Sequence, residues 1–126
     1  MTSPSPAAPA APIPSAAEIL SALIAFPTVS RRPNLALLEH VEALLAPAGV
    51  RLERFASDDG TRANLLASLG PGGSGGVMLS GHCDVVPVEG QDWSSDPFAL
   101  RAQDGRLYGR GTADMKGFLA VAIRAM

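Results

Sequence analysis

The sequence predicts an α/β layer protein in which a mixed, mostly parallel sheet is flanked by helices. Three observations carry that expectation. Two amphipathic helical patterns fill residues 15–49, the apolar period shortens to that of strands from Val50 onward, and MKGFLAVAIRAM returns to a helical pattern. At 126 residues, with 47% hydrophobic and 17% charged residues, the chain has the composition of a core-forming protein and the length of one domain at most.

The opening stretch, MTSPSPAAPAAPIPS, holds Pro, Ala and Ser, with no basic residue and no continuous apolar run. It reads as a disordered tail over residues 1–14 and not as a secretory signal. Order is expected from Ser15, because Ser15-Ala16-Ala17-Glu18 has the S-x-x-E form in which serine and glutamate satisfy free amides at a helix start. This helix runs to about Phe26, where Pro27 and the SRRP segment break it. Asn34 is placed to cap a second helix, LALLEHVEALLA, whose Leu35, Leu38, Val41 and Leu45 share a face, and Gly49 to close it.

VRLERFA and ANLLASLG read as two strands joined by the turn residues SDDGT. VMLSG, residues 77–81, reads as a third, apolar enough to be covered on both faces. Asp104-Gly105 marks a hairpin into RLYGR. The glycine-rich stretch at residues 70–76 lacks the Gly-Lys-Ser/Thr of a phosphate loop and runs into a strand, so it reads as a turn.

Bulk properties exclude several functions. Ten basic and twelve acidic residues give a net charge of −2 without a basic stripe, which argues against nucleic acid as a partner. The apolar runs fall well short of the ~20 residues that cross a bilayer, so no membrane span is expected. A single cysteine, Cys83, excludes an internal disulfide and suits a cytoplasmic protein.

The polar residues within VMLSGHCDVVPV carry the chemistry. If the strand persists through Asp84, His82 and Asp84 point to one side; if it ends at Gly81, both sit at its carboxyl end, where open α/β sheets place their sites. Either geometry puts a carboxylate beside an imidazole, which fixes the tautomer of a metal-binding histidine. An isolated His-x-Asp also fits a structural, hydrogen-bonded histidine. In YGRGTADMKG, three glycines hold a further carboxylate, Asp114, just before a helix. A hydrolytic zinc site needs a few N and O ligands and an open position for water, and His82 and Asp114 are candidates for two of the ligands. His40, on the second helix, reads as a solvated or half-buried surface histidine, and Arg31 and Arg32, which could meet a substrate carboxylate, read first as solvent-exposed.

SGHCDVVPVEGQDWSSDPF together with DGRLYGRGTADMKGFLA resembles the zinc-dependent aminoacylase and deacetylase family of metallopeptidases. The resemblance extends from about Ser15 to Met126, with its specificity concentrated in those two blocks. It implies the amino-terminal part of a zinc-exopeptidase-like catalytic domain over residues 15–126. It also implies that His82 ligates zinc, that Asp84 is the catalytic-site carboxylate orienting His82, that Asp114 bridges two zinc ions, and that the Asp114–Met115 peptide is cis. Two zinc ions per complete site are implied, with cobalt as a substitute.

The implied substrate is a small N-acyl amino acid, first N2-acetyl-L-ornithine, with succinyl-diaminopimelate or dipeptides as alternatives, and the implied assembly is a homodimer. Cys83 and Ala113 stand where relatives usually carry Thr and often Cys. The family's adjacent Glu-Glu pair, which holds the general base, occurs nowhere in the chain. The chain is therefore expected to be the amino-terminal piece of a longer enzyme, inactive by itself; the competing expectation is a truncated product or interaction fragment.

Overall fold

The computed structural model describes residues 12–126, so most of the tail expected over residues 1–14 lies outside the described residues. Helix α1 (Ala16–Ile24) and helix α2 (Leu35–Leu45) are followed by strands β1 (Arg51–Ala56) and β2 (Ala63–Ser68), then strands β3 (Arg101–Gln103) and β4 (Arg106–Tyr108), and finally helix α3 (Gly117–Ala125). The mixed α/β class is as expected.

Helix α1 starts where its sequence requires. The Ser15 Oγ accepts from the Glu18 amide at 3.2 Å, and the Glu18 carboxylate accepts from the Ser15 amide at 2.7 Å. Its apolar stripe Ile19, Leu20, Leu23 and Ile24 meets Leu37, Leu38, Val41 and Leu45 of α2, with Ala63 of β2 and Ala120 of α3 closing the core. Leu23 and Ile24 are wholly buried, each contributing roughly 1.5–3 kcal/mol by leaving water.

Asn34 departs from the expected role. It makes no side-chain cap on α2. Its Nδ2 donates to the Ala63 carbonyl and its Oδ1 accepts from the Ala63 amide, both at 3.0 Å, so it ties the helix start to β2. Helix α2 tightens into a 3₁₀ turn, Ala46–Ala48, before Gly49 ends it in the left-handed region at φ 67°.

Strands β1 and β2 form an antiparallel hairpin in register from Arg51↔Ser68 to Ala56↔Ala63. Strands β3 and β4 form a second one across Asp104 and Gly105, whose φ values of 51° and 73° suit a tight two-residue turn. The mostly parallel sheet expected from the sequence is represented by one parallel bridge, Val29↔Val85.

The third strand expected at residues 77–81 does not form. A strand needs a second segment to receive its amides and carbonyls, and among the described residues none pairs with this one. Val77 and Met78 are 90% and 80% exposed. The segment borders an open groove whose other walls include Leu37, Leu38, Leu65 and Leu119. No described helix is long and apolar enough to cross a membrane.

Candidate metal centre

The site begins with a clasp between residues 28–30 and 83–85. The Val85 amide donates to the Thr28 carbonyl and the Ser30 amide to the Val85 carbonyl, both at 3.0 Å. Thr28 is buried and places its hydroxyl on the Cys83 carbonyl at 2.7 Å, satisfying both groups. The backbone on either side of Asp84 is thereby held. The Ser30 hydroxyl donates to Asp84 Oδ2 at 2.5 Å, leaving Oδ1 3.2 Å from His82 Nδ1.

Glycines let this clasp approach the segment bearing Asp114. A Cβ on Gly81 would lie 2.8 Å from Leu119 Cδ2 and 3.0 Å from Met115 Cε. Gly111, at φ 91°, packs so close that a Cβ would lie 2.7 Å from Val85 Cγ1. Gly111 opens a kinked turn, Thr112–Lys116, in which Asp114 leaves helical dihedrals at φ −130° and ψ 92°. The Asp114–Met115 peptide is cis, as the resemblance implied.

His82 joins the two halves. Its Nδ1 lies 3.0 Å from the Asp84 carbonyl oxygen, and its Nε2 lies 3.0 Å from Asp114 Oδ1. A carbonyl only accepts, so Nδ1 carries the proton and Nε2 of the neutral ring presents a lone pair to a carboxylate. Two acceptors at that separation repel unless a proton or a metal cation lies between them. Burial acts to lower the His82 pKa, but the Asp84 carbonyl and the Asp114 carboxylate outweigh it and the net shift is upward. The side chains of His82 and Asp114 are 48% and 79% exposed, which leaves a path for an ion.

The donors fit a metal. An imidazole nitrogen and a carboxylate oxygen are zinc ligands, and two such atoms bound about 2.1 Å from one ion lie about 3 Å apart at a right angle and about 3.4 Å apart at the tetrahedral angle, so this pair needs to open by only a few tenths of an ångström to hold one. Among the described residues no group of three or more His, Cys, Asp or Glu side chains is arranged to hold an ion, so this pair by itself is not a complete coordination sphere.

The structure thus brings together His82, Asp84 and Asp114. Cys83 stands apart, half-buried with its Sγ 3.5 Å from Asn34 Nδ2. Arg31 and Arg32 are exposed, as expected, and His40 is half-buried against the Phe26 ring at 5.5 Å between centroids. Sequence reasoning missed Thr28, Ser30 and Lys116. Nothing local marks the first two, whose partners lie 54 or 55 residues away. Lys116 carries a signal: a basic residue beside the N-terminus of α3 opposes that helix's dipole, which favours a partner elsewhere. It is fully buried, and burial lowers its pKa to about 8.

The mixed helix and strand frame thus brings an imidazole and a carboxylate together at the loops that join its elements. Residues 78–126 match the model for Peptidase family M20/M25/M40. The chain is 43% identical over 121 residues to an acetylornithine deacetylase of Pasteurella multocida (strain Pm70), covering 90% of this chain and 31% of that protein. It is 42% identical over 118 residues to an acetylornithine deacetylase of Edwardsiella ictaluri (strain 93-146), covering 88% of this chain and 30% of that protein. The crystal structure of human carnosine dipeptidase 1 is similar with a TM-score of 0.66 at 29% identity, covering 87% of this chain and 27% of that one. The chain spans about a third of the length of the curated relatives it matches.

Proposed function

We propose that these residues form part of the active centre of a zinc-dependent amide hydrolase, acetylornithine deacetylase, acting in arginine biosynthesis in the cytoplasm. The reaction is N2-acetyl-L-ornithine plus water giving L-ornithine and acetate: the amide C–N bond breaks, the water oxygen bonds to the acyl carbon, and the amine leaves protonated. The observation that carries the reading is the approach of His82 Nε2 to Asp114 Oδ1 at 3.0 Å while Nδ1 is committed to the Asp84 carbonyl.

His82 and Asp114 would hold zinc, or cobalt in its place, and Asp84 would keep His82 in the ligating tautomer, itself held by Ser30. Zinc bound there would lower the pKa of water and polarise the acyl carbonyl. This chain's own part is to present one nitrogen and one carboxylate oxygen, to place the proton of the neutral ring on Nδ1 so that the Nε2 lone pair faces Asp114, and to leave the site open to a small N-acyl amino acid. The reaction is proposed for a protein of the relatives' full length. The 126 residues alone, having no Glu-Glu pair to supply a general base, are proposed to be inactive.

The likeness to human carnosine dipeptidase 1 favours dipeptide hydrolysis as a second reading. Both readings are tested with a protein of full length, by following acetate or amino-acid release from N2-acetyl-L-ornithine, succinyl-diaminopimelate and a dipeptide, with and without a chelator. Chelator-sensitive release from acetylornithine at the highest kcat/KM supports the first reading. A preference for the dipeptide replaces it, and release unaffected by chelator contradicts both.

A further inference from the structure

Lys116 is the largest wholly buried side chain of the protein among the described residues. It is tied at both ends. Its main-chain amide donates to the Gly111 carbonyl at 2.8 Å, closing the turn that carries Asp114. Its Nζ crosses the core and donates to the Leu23 carbonyl at 2.8 Å and the Phe26 carbonyl at 2.7 Å, at the end of α1 where the helix dipole is negative.

The same stretch of chain leads directly into residues 28–30, which clasp Cys83 and Asp84. The end of α1 is therefore a common reference for both halves of the site. Through Thr28 and Ser30 it sets Asp84 and His82; through Lys116 it reaches the turn bearing Asp114. Backbone packing reinforces that turn, since a Cβ on Gly117 would lie 2.3 Å from the Thr112 carbonyl oxygen.

We propose that Lys116 is a positioning residue of the metal centre, anchoring the turn Thr112–Lys116 to the end of α1 so that the Asp114 carboxylate meets His82. This rests on the metal-centre reading above. Lys116 touches neither metal nor substrate. Without its ammonium, the turn keeps the Gly111 contact but loses its tie to α1, and Asp114 no longer has a fixed distance to His82.

The test uses the 126-residue chain with Lys116→Met, which keeps length and removes the donors, and Lys116→Gln, which is too short to reach both carbonyls. Two readouts are taken: proton–proton contacts between the His82 ring and Asp114 without metal, and the dissociation constant for Co2+. The proposal expects the His82–Asp114 contact to weaken, and the Co2+ constant to rise about tenfold or more, while methyl signals of Leu23, Leu37 and Leu38 keep their native dispersion. A contact of unchanged strength in a folded variant overturns it. So does loss of the contact only through global unfolding in both variants, which would make Lys116 a residue of folding alone. If the unsubstituted chain takes up no Co2+ while Lys116→Met still loses the contact, the metal-centre reading fails and the positioning role stands.

Discussion

His82 Nε2 and Asp114 Oδ1 lie 3.0 Å apart although 32 residues separate them in the chain. Each side of the pair has its own support, the imidazole from Asp84 and the clasp at residues 28–30, the carboxylate from a glycine-flanked turn. Perturbing the supports separates their effects.

Asp84→Asn preserves the size of the side chain and removes its charge. The Asp84 carboxylate contributes to the upward shift of the His82 pKa, so His82 titrates lower in the variant. Zinc affinity falls about tenfold, as for other partners that orient a ligating histidine. Ring proton shifts followed against pH, together with zinc titration, measure both.

Asn34→Ala removes both bonds to Ala63, whose amide and carbonyl lie in a buried part of β2. Leaving them unpartnered costs about 2 kcal/mol. Urea unfolding reads this as a lower midpoint with an unchanged slope. A loss of only a few tenths of a kcal/mol, as from a surface residue, would mean that Asn34 does not tie α2 to the hairpin.

Asp59 sits in the turn between β1 and β2, where the Ser57 hydroxyl and the amide and hydroxyl of Thr61 donate to its carboxylate and lower its pKa to about 2. The folded pKa lies below the unfolded one, so the contribution is present above about pH 4 and lost as pH falls through about 2. Thermal unfolding of the native chain and Asp59→Asn compared across that window checks the sign. The native chain is the more stable at pH 5, and the difference disappears toward pH 2.

Gly117→Ala discriminates between two opposite expectations. In an ordinary helix interior alanine is favoured over glycine by about 1 kcal/mol. Here the added Cβ would lie 2.3 Å from the Thr112 carbonyl oxygen, and overpacking of that kind costs about 1–3 kcal/mol. The substitution therefore lowers the unfolding midpoint, and it disturbs the His82–Asp114 contact because the strained atom lies in the turn that carries Asp114.

Much of the site was legible because its signals are local. Ser15 and Glu18 declare a helix start within four residues, Asp104-Gly105 declares a hairpin, and His82-x-Asp84 puts two chemically paired groups within reach of each other whichever way the backbone runs. What escaped depends on partners distant in sequence. Asn34 has a capping residue's chemistry, and only the position of Ala63, 29 residues on, diverts it. Ser30 and Lys116 act across 54 and up to 93 residues; nothing in the neighbours of Ser30 announces it, and the place of Lys116 at the N-terminus of α3 hints at a partner without naming it. Residues 77–81 show why strands are harder to read than helices: the apolar pattern belongs to the segment, but the strand belongs to a pair, and among the described residues the second member is missing.

The central claim is that His82 and Asp114 share a metal ion. The most direct measurement is zinc titration of the 126-residue chain followed at the ring nitrogens of His82, alongside His82→Ala and Asp114→Ala examined calorimetrically. The account predicts that zinc shifts Nε2 while Nδ1 keeps its proton, that either substitution removes the binding, and that binding weakens as the pH falls below the raised His82 pKa because protons compete for Nε2. Zinc binding that survives both substitutions, or an Nε2 signal unmoved at saturating zinc, would contradict it.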